Sequence, residues 1–200
     1  MRHTITAGFI SVLLGLFPLN PVQAAWDAPT LSLMSQGLDA FWGGFLQRLG
    51  VKYTYPVVHT HKGAEMTPCG LAMIAHYCSQ TNTIHLNMTQ MNKLASRIGD
   101  SAAYFSLAHE YGHSVQRHLG MLDKNLPVVV LELQADCLAG VFFSATKQLG
   151  LLEPGDIEEG VIMATMTGDN HYEDPSHHGT SKQRAKAFLS GLRNPTACFQ

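Results

Sequence analysis

His109-Glu110-Tyr111-Gly112-His113, set in the longer run from Asp100 to His118, is the stretch on which the reading of this 200-residue chain turns. Asp100 or Ser101 can cap a helix that Gly120 stops just after His118. Residues four apart on a helix lie one above the other, so His109 and His113 point the same way. Two such imidazoles can each set a nitrogen about 2 Å from a zinc ion. Glu110 lies about 100° round the helix from His109 and reaches toward the open coordination position. Zinc lowers the pKa of a bound water to about 7, and a carboxylate beside that water can take its proton and later pass it to a leaving amine. The bland alternative is a core helix with a polar seam, but burying two histidines and a glutamate on adjacent faces is costly unless they bind something.

A catalytic zinc site needs a third protein ligand and a vacant position. Leu131-Glu132-Leu133-Gln134-Ala135-Asp136 is placed to supply the ligand, since Glu132 follows His113 by 19 residues. That interval lets one helix finish, the chain turn between Gly120 and Pro127, and a second helix return and run to just before Gly150. Glu132 and Asp136 are four apart and share a face. With Glu132 on the metal, Asp136 can accept a hydrogen bond from a ligand imidazole. A solvated helix face is the alternative for this pair, and the apolar neighbours Val128 to Leu131, Leu133 and Ala135 argue for a mostly buried helix instead.

Outward from this pair, the chain reads as an α+β fold, mostly helical, in which both helices cross a small sheet. Leu31, Met34, Leu38, Phe41, Phe45 and Leu49 repeat at helical spacing from a cap at Thr30 to Gly50. This helix either packs on the core or covers the cleft. Tyr55 to His59 and Thr83 to Asn87 read as short strands. Thr83 to Met88 is equally an edge that could take up a substrate strand and an ordinary interior strand. Asp156 to Met166 suggests a shorter helix, Gly168 to His178 a polar loop, and Ser181 to Leu189 a last helix closed by Gly191.

The N-terminus opens with Met1-Arg2-His3 and the apolar stretch Ala7 to Leu19, too short to span a bilayer, followed by small residues at Val22-Gln23-Ala24. Residues 1–24 are therefore expected to be a signal peptide, with residues 26–200 as a single domain, exported to a periplasmic or secreted location. A retained N-terminal anchor is the other reading. Loss of Arg2 leaves 12 basic against 15 acidic residues, and no basic run or second long apolar segment points to nucleic acid or a stable membrane span. Four cysteines in an exported chain suggest two disulfides with three possible pairings. Cys69 with Cys78 and Cys137 with Cys198 is favoured, and no close Cys-x-x-Cys pair supports a cysteine zinc site.

Further motifs follow in order: His-Glu-Tyr-Gly-His-Ser-Val-Gln from His109, Leu-Glu-Leu-Gln-Ala-Asp-Cys-Leu-Ala-Gly-Val-Phe from Leu131, Gly-Asp-Ile-Glu-Glu from Gly155 and His-Gly-Thr-Ser-Lys-Gln-Arg from His178. This series resembles the bacterial neutral zinc metallopeptidase family, from about Cys69 to Phe199. The resemblance implies a zincin-like domain with His109, His113 and Glu132 as ligands to one Zn2+ per chain. It also implies Glu110 as catalytic base and Asp136 as the support of a ligand.

The segment Asn170 to Asp174 is an unusually His-rich linker. His171, His177 and His178 could polarise a scissile carbonyl or hold an oxyanion. Of these only His178 matches the family pattern, and it is the one taken here as catalytic; its alternative role is to cap the helix near Ser181. Arg184 is expected to pair with Asp136 or Glu158. His59, His61, His76, His85 and His118 read as surface or satisfied strand and helix residues rather than ligands. The expected activity is hydrolysis of peptides or unfolded protein segments. A zinc-containing binding or chaperone-like module without turnover, and hydrolysis of a non-peptide amide such as a cell-wall linkage, stay open.

Overall fold

The computed structural model describes residues 26–199, so the expected signal peptide lies outside the described residues. Helix α3 (Asp100–His118) is at the centre of the architecture, and 14 of its 19 residues are buried. A helix buried nearly all round needs partners on every side. It packs on a small sheet, on the four helices α1 (Ala28–Arg48), α2 (Met88–Arg97), α4 (Val128–Gln148) and α5 (Asp156–Met166), and through these on α6 (Ser181–Arg193). The result is the α+β, mostly helical zincin-like domain.

Helix α1 buries Leu31, Leu38, Trp42 and Leu46 along one face. Its cap is Asp27, whose Oδ1 accepts the Thr30 N–H at 2.9 Å, so the expected cap Thr30 sits inside the first turn. The helix packs on the core and contributes nothing to the cleft described below.

The strands are β1 (Val57–His61), β2 (Glu65–Thr67), β3 (Gly70–Ala72), β4 (Ala75–Cys78) and β5 (Thr83–Asn87). The main sheet has the order β1-β5-β4, with β1 parallel and β4 antiparallel to β5. This corrects the possibility of an edge at Thr83 to Met88: β5 is the central strand, and β4 is the edge nearer α3. Strand β1 starts two residues later than expected because Pro56 has no N–H to donate, and the first bond into the turn is Val57 N–H to Asn82 O at 3.0 Å. Strands β2 and β3 form a separate hairpin, tied to β4 by the Cys69–Cys78 disulfide. Helix α2 was not anticipated, although Asn87 caps it by accepting from the Thr89 and Gln90 N–H groups.

Asp100 and Ser101 do not cap α3. Gly99 precedes it at φ 141, and the Ser101 N–H is taken by Glu159 Oε2 at 3.0 Å. A Cβ on Gly99 would lie 1.9 Å from that carboxylate, so close approach as well as conformation requires glycine there.

Helix α4 begins just after Pro127 and is buried from Ala135 to Ser144. Its first two turns are half-buried to exposed because they rim the cleft, while the side chains of Glu132 and Asp136 are themselves covered, so the face they share is not a solvated one. It lies on α3 and α6 rather than crossing the sheet. At the α4–α6 crossing, a Cβ on Gly140 would come within 2.1 Å of Phe188 O and one on Gly191 within 1.9 Å of Cys137 O. Gly191 therefore serves close packing rather than helix termination, and α6 continues to Arg193. The Cys137–Cys198 disulfide fastens the C-terminal turn to the same crossing.

Candidate metal centre

Two turns of α3 and one of α4 bring three donor atoms together. His109 Nε2 and His113 Nε2 are 3.1 Å apart, and the Glu132 carboxylate approaches them at 3.3 and 3.2 Å. Donors about 2.0–2.1 Å from a tetrahedral zinc ion stand about 3.3–3.4 Å from one another. The spacing and the two-imidazole, one-carboxylate set thus suit a first-row divalent ion such as zinc.

The other ring nitrogens face outward to fixed partners. His109 Nδ1 meets Asp136 Oδ1 at 2.9 Å, and His113 Nδ1 meets Gln116 Oε1 at 2.8 Å. Gln116 donates from Nε2 to Leu131 O at 2.7 Å and to Gln134 Oε1 at 3.0 Å, which leaves its Oε1 as the acceptor for His113. Both imidazoles can therefore hold Nδ1–H outward and turn an Nε2 lone pair inward, the form a metal ligand needs.

Asp136, fully buried, is also gripped by Arg184, whose Nε pairs with Oδ2 and whose Nη2 donates to Oδ1 at 2.9 Å. Arg184 Nη1 is 3.2 Å from Glu132 Oε2. One guanidinium thus holds both carboxylates of α4, and the partner of Arg184 is Asp136 rather than Glu158. Burial raises the Glu132 carboxyl pKa, but the His109 and His113 bonds outweigh it and hold it well below the ordinary range. For His109, burial opposes the charged form, and the Asp136 and Glu132 carboxylates outweigh that, lifting it to about 10. The site therefore favours positive charge where a divalent ion would sit.

Glu110, 8% exposed, accepts the Tyr77 N–H of β4 on Oε2 at 2.7 Å, which leaves Oε1 for the cleft. The cleft is a cavity of about 640 Å³, lined by all three donors, Glu110, His76 and Tyr77 of β4, and apolar side chains such as Leu122, Val128 and Met166.

His178 also lines this cleft, at its rim, with half of its side chain exposed. It is not a helix cap: Thr180 fills that place in a capping box with Gln183. Its backbone N–H donates to Asp169 Oδ2 at 2.9 Å, and Asp169 also binds the His177 ring and the His171 N–H. Those backbone N–H donors, His178 first, hold the Asp169 carboxyl far below its ordinary range. His177 and His171 do not line the cleft. Gln116 stands three residues after His113 on the same helix face, a spacing from which its role could have been inferred. The Tyr77 N–H is a backbone group and leaves no signal in residue type.

The chain is 32% identical to "Uncharacterized protein YpfJ" of Escherichia coli K12, over 97% of this chain and 82% of that protein. It is 30% identical to "Uncharacterized protein Rv2575" of Mycobacterium tuberculosis H37Rv, over 80% of this chain and 66% of that one. No solved structure matches significantly. The family profile described as "Putative neutral zinc metallopeptidase" matches residues 30–198, reaching further upstream than the motifs from Cys69 onward, and the chain belongs to that family.

Proposed function

We propose that this chain is a zinc-dependent peptidase that hydrolyses peptide bonds of peptides or unfolded protein segments outside the cytoplasm, with one Zn2+ per chain held by His109, His113 and Glu132. The observation that carries the reading is the convergence of those three donors beside Glu110 at the floor of an open cleft. Zinc bound there would polarise the scissile carbonyl and acidify the attacking water. Glu110, steadied through Oε2 by the Tyr77 N–H, takes the proton of that water on Oε1 and hands it to the leaving amine nitrogen. Asp136 orients His109 from behind, and Arg184 keeps Asp136 and Glu132 in place. His178 at the rim donates to the carbonyl oxygen as negative charge develops there.

Strand β4 is a sheet edge, and an extended substrate is expected to lie along it in the cleft. Both disulfides suit an oxidising, extracytoplasmic compartment, reached by way of a signal peptide at residues 1–24 and leaving residues 26–200 as the catalytic unit.

The test is casein hydrolysis and zinc content, measured side by side for the mature protein and Glu110→Gln. Peptidase function predicts about one zinc at this site in both proteins and cleavage only in the wild type. Zinc in both with cleavage in neither, across unfolded substrates, supports a binding module instead.

A further inference from the structure

We infer a second metal site, separate from the cleft donors, formed by His59 of β1, Glu65 of β2 and His85 of β5, that takes a first-row divalent ion such as zinc. Sheet register places His59 directly beside His85, and His85 directly across from His76, so these rings share one face of the sheet. His61, two residues on from His59, is on that face as well. Glu65 reaches in from the hairpin and bridges two of the rings. His59 Nε2 is 3.2 Å from its Oε2, and His85 Nδ1 is 3.0 Å from its Oε1. All three residues offer donor atoms within 4.8 Å of one another. The spacing along the carboxylate is close to that of the His109, His113 and Glu132 set, and to the donor separation about a tetrahedral zinc ion.

Two further observations point to a ligand. His85 is 8% exposed, and His61 Nε2 is buried with no hydrogen-bond partner among the described residues. Buried polar atoms are usually satisfied, and an unpaired one calls for an ion or water. Nδ1 of His61 meets Gly63 O at 2.7 Å, which fixes the tautomer with a lone pair on Nε2, and the ring stacks beside His59 with centroids 6.3 Å apart. Imidazole with a single carboxylate selects zinc, copper, nickel or cobalt over magnesium or calcium. His59 is half-exposed and Glu65 about a third exposed, so the ion has a path from solvent. An ion here would pin the β2–β3 hairpin to the main sheet. That hairpin is already bonded to β4, the strand that steadies Glu110, through Cys69–Cys78.

The experiment is metal stoichiometry by elemental analysis and by visible absorption on Co2+ titration, for the mature protein, His59→Ala, Glu65→Gln and His113→Ala. The inference predicts about two ions per wild-type chain and about one in each variant, with circular dichroism unchanged. His59→Ala and His113→Ala should each delete a different Co2+ absorption component. A wild type that binds one ion, lost in His113→Ala and kept in His59→Ala and Glu65→Gln, overturns this site and leaves the peptidase reading intact. One ion lost in His59→Ala and kept in His113→Ala supports this site and removes the metal from the peptidase reading. A second ion bound only at millimolar metal, or equally in Glu65→Gln, also overturns the inference.

Discussion

The backbone N–H of Tyr77 donates to Glu110 Oε2 at 2.7 Å, so the edge strand of the sheet aims a carboxylate of α3 into the cleft. This bond leaves β4 on the side away from β5, and its loss therefore removes no ladder bond. Tyr77→Pro deletes the N–H, and Tyr77→Ala keeps it while removing the same side chain. Tyr77→Pro is expected to turn over about 10- to 100-fold more slowly than Tyr77→Ala at equal zinc content. Equal kcat in the two variants would show that Glu110 needs no such anchor.

Asp136 is fully buried between His109 and Arg184, accepting from both. Asp136→Ala leaves the guanidinium inside the protein with Glu132 as its remaining carboxylate and the His109 Nδ1–H without an acceptor. Breaking a buried pair in this way costs about 3–5 kcal/mol, and loss of an orienting carboxylate weakens zinc binding about 10- to 100-fold. Urea unfolding of the metal-free protein and competition against a zinc chelator measure the two effects separately. A variant that loses stability but binds zinc as tightly as the wild type would reduce Asp136 to a packing element.

Gln116 is the counterpart for His113, and it also ties α3 to α4 through Leu131 O and Gln134. Gln116→Leu keeps the bulk and removes the acceptor and both donated bonds. Zinc affinity is expected to fall about 10- to 100-fold, with a stability loss of about 1–3 kcal/mol for the carbonyl and imidazole left unpaired. The chelator competition decides it, and undiminished affinity would mean that His113 is oriented by α3 alone.

The difference between Gln116 and the three candidate metal donors shows what the sequence could reveal. His109, Glu110 and His113 were legible because helical periodicity alone fixes their mutual placement, and Glu132 with Asp136 follows from the same period one helix later. Arg184 could be paired with an acid but not with one particular acid, since nothing local links α6 to α4; the crossing depends on Gly140 and Gly191, whose role in close backbone contact is visible only once both helices are placed. The sheet was harder still. Thr83 to Asn87 was readable as a strand, yet its central position depends on β1 and β4 pairing to it from both sides, a non-local matter. The shared face of His59, His61, His76 and His85 follows from that register, so single histidines scattered along 27 residues gave no sign of a cluster.

Asp169 organises the loop that carries His178, and its carboxyl is held far below the ordinary range, first by the His178 backbone N–H and then by that of His171, with the His177 ring adding to them. A depressed carboxylate contributes order that is present above its unfolded pKa of about 3.9 and is lost only as pH falls through the lower folded value. The hydrogen bonds from the His171 and His178 backbone N–H groups to Asp169 should therefore persist from neutral pH down to about pH 4, read as slowed amide exchange at both positions. Asp169→Asn keeps the shape but removes the charge, and is expected to speed exchange of those amides at neutral pH and raise KM with zinc content unchanged. Fast exchange of both amides in the wild type at neutral pH would show that the Asp169 carboxylate does not hold the loop.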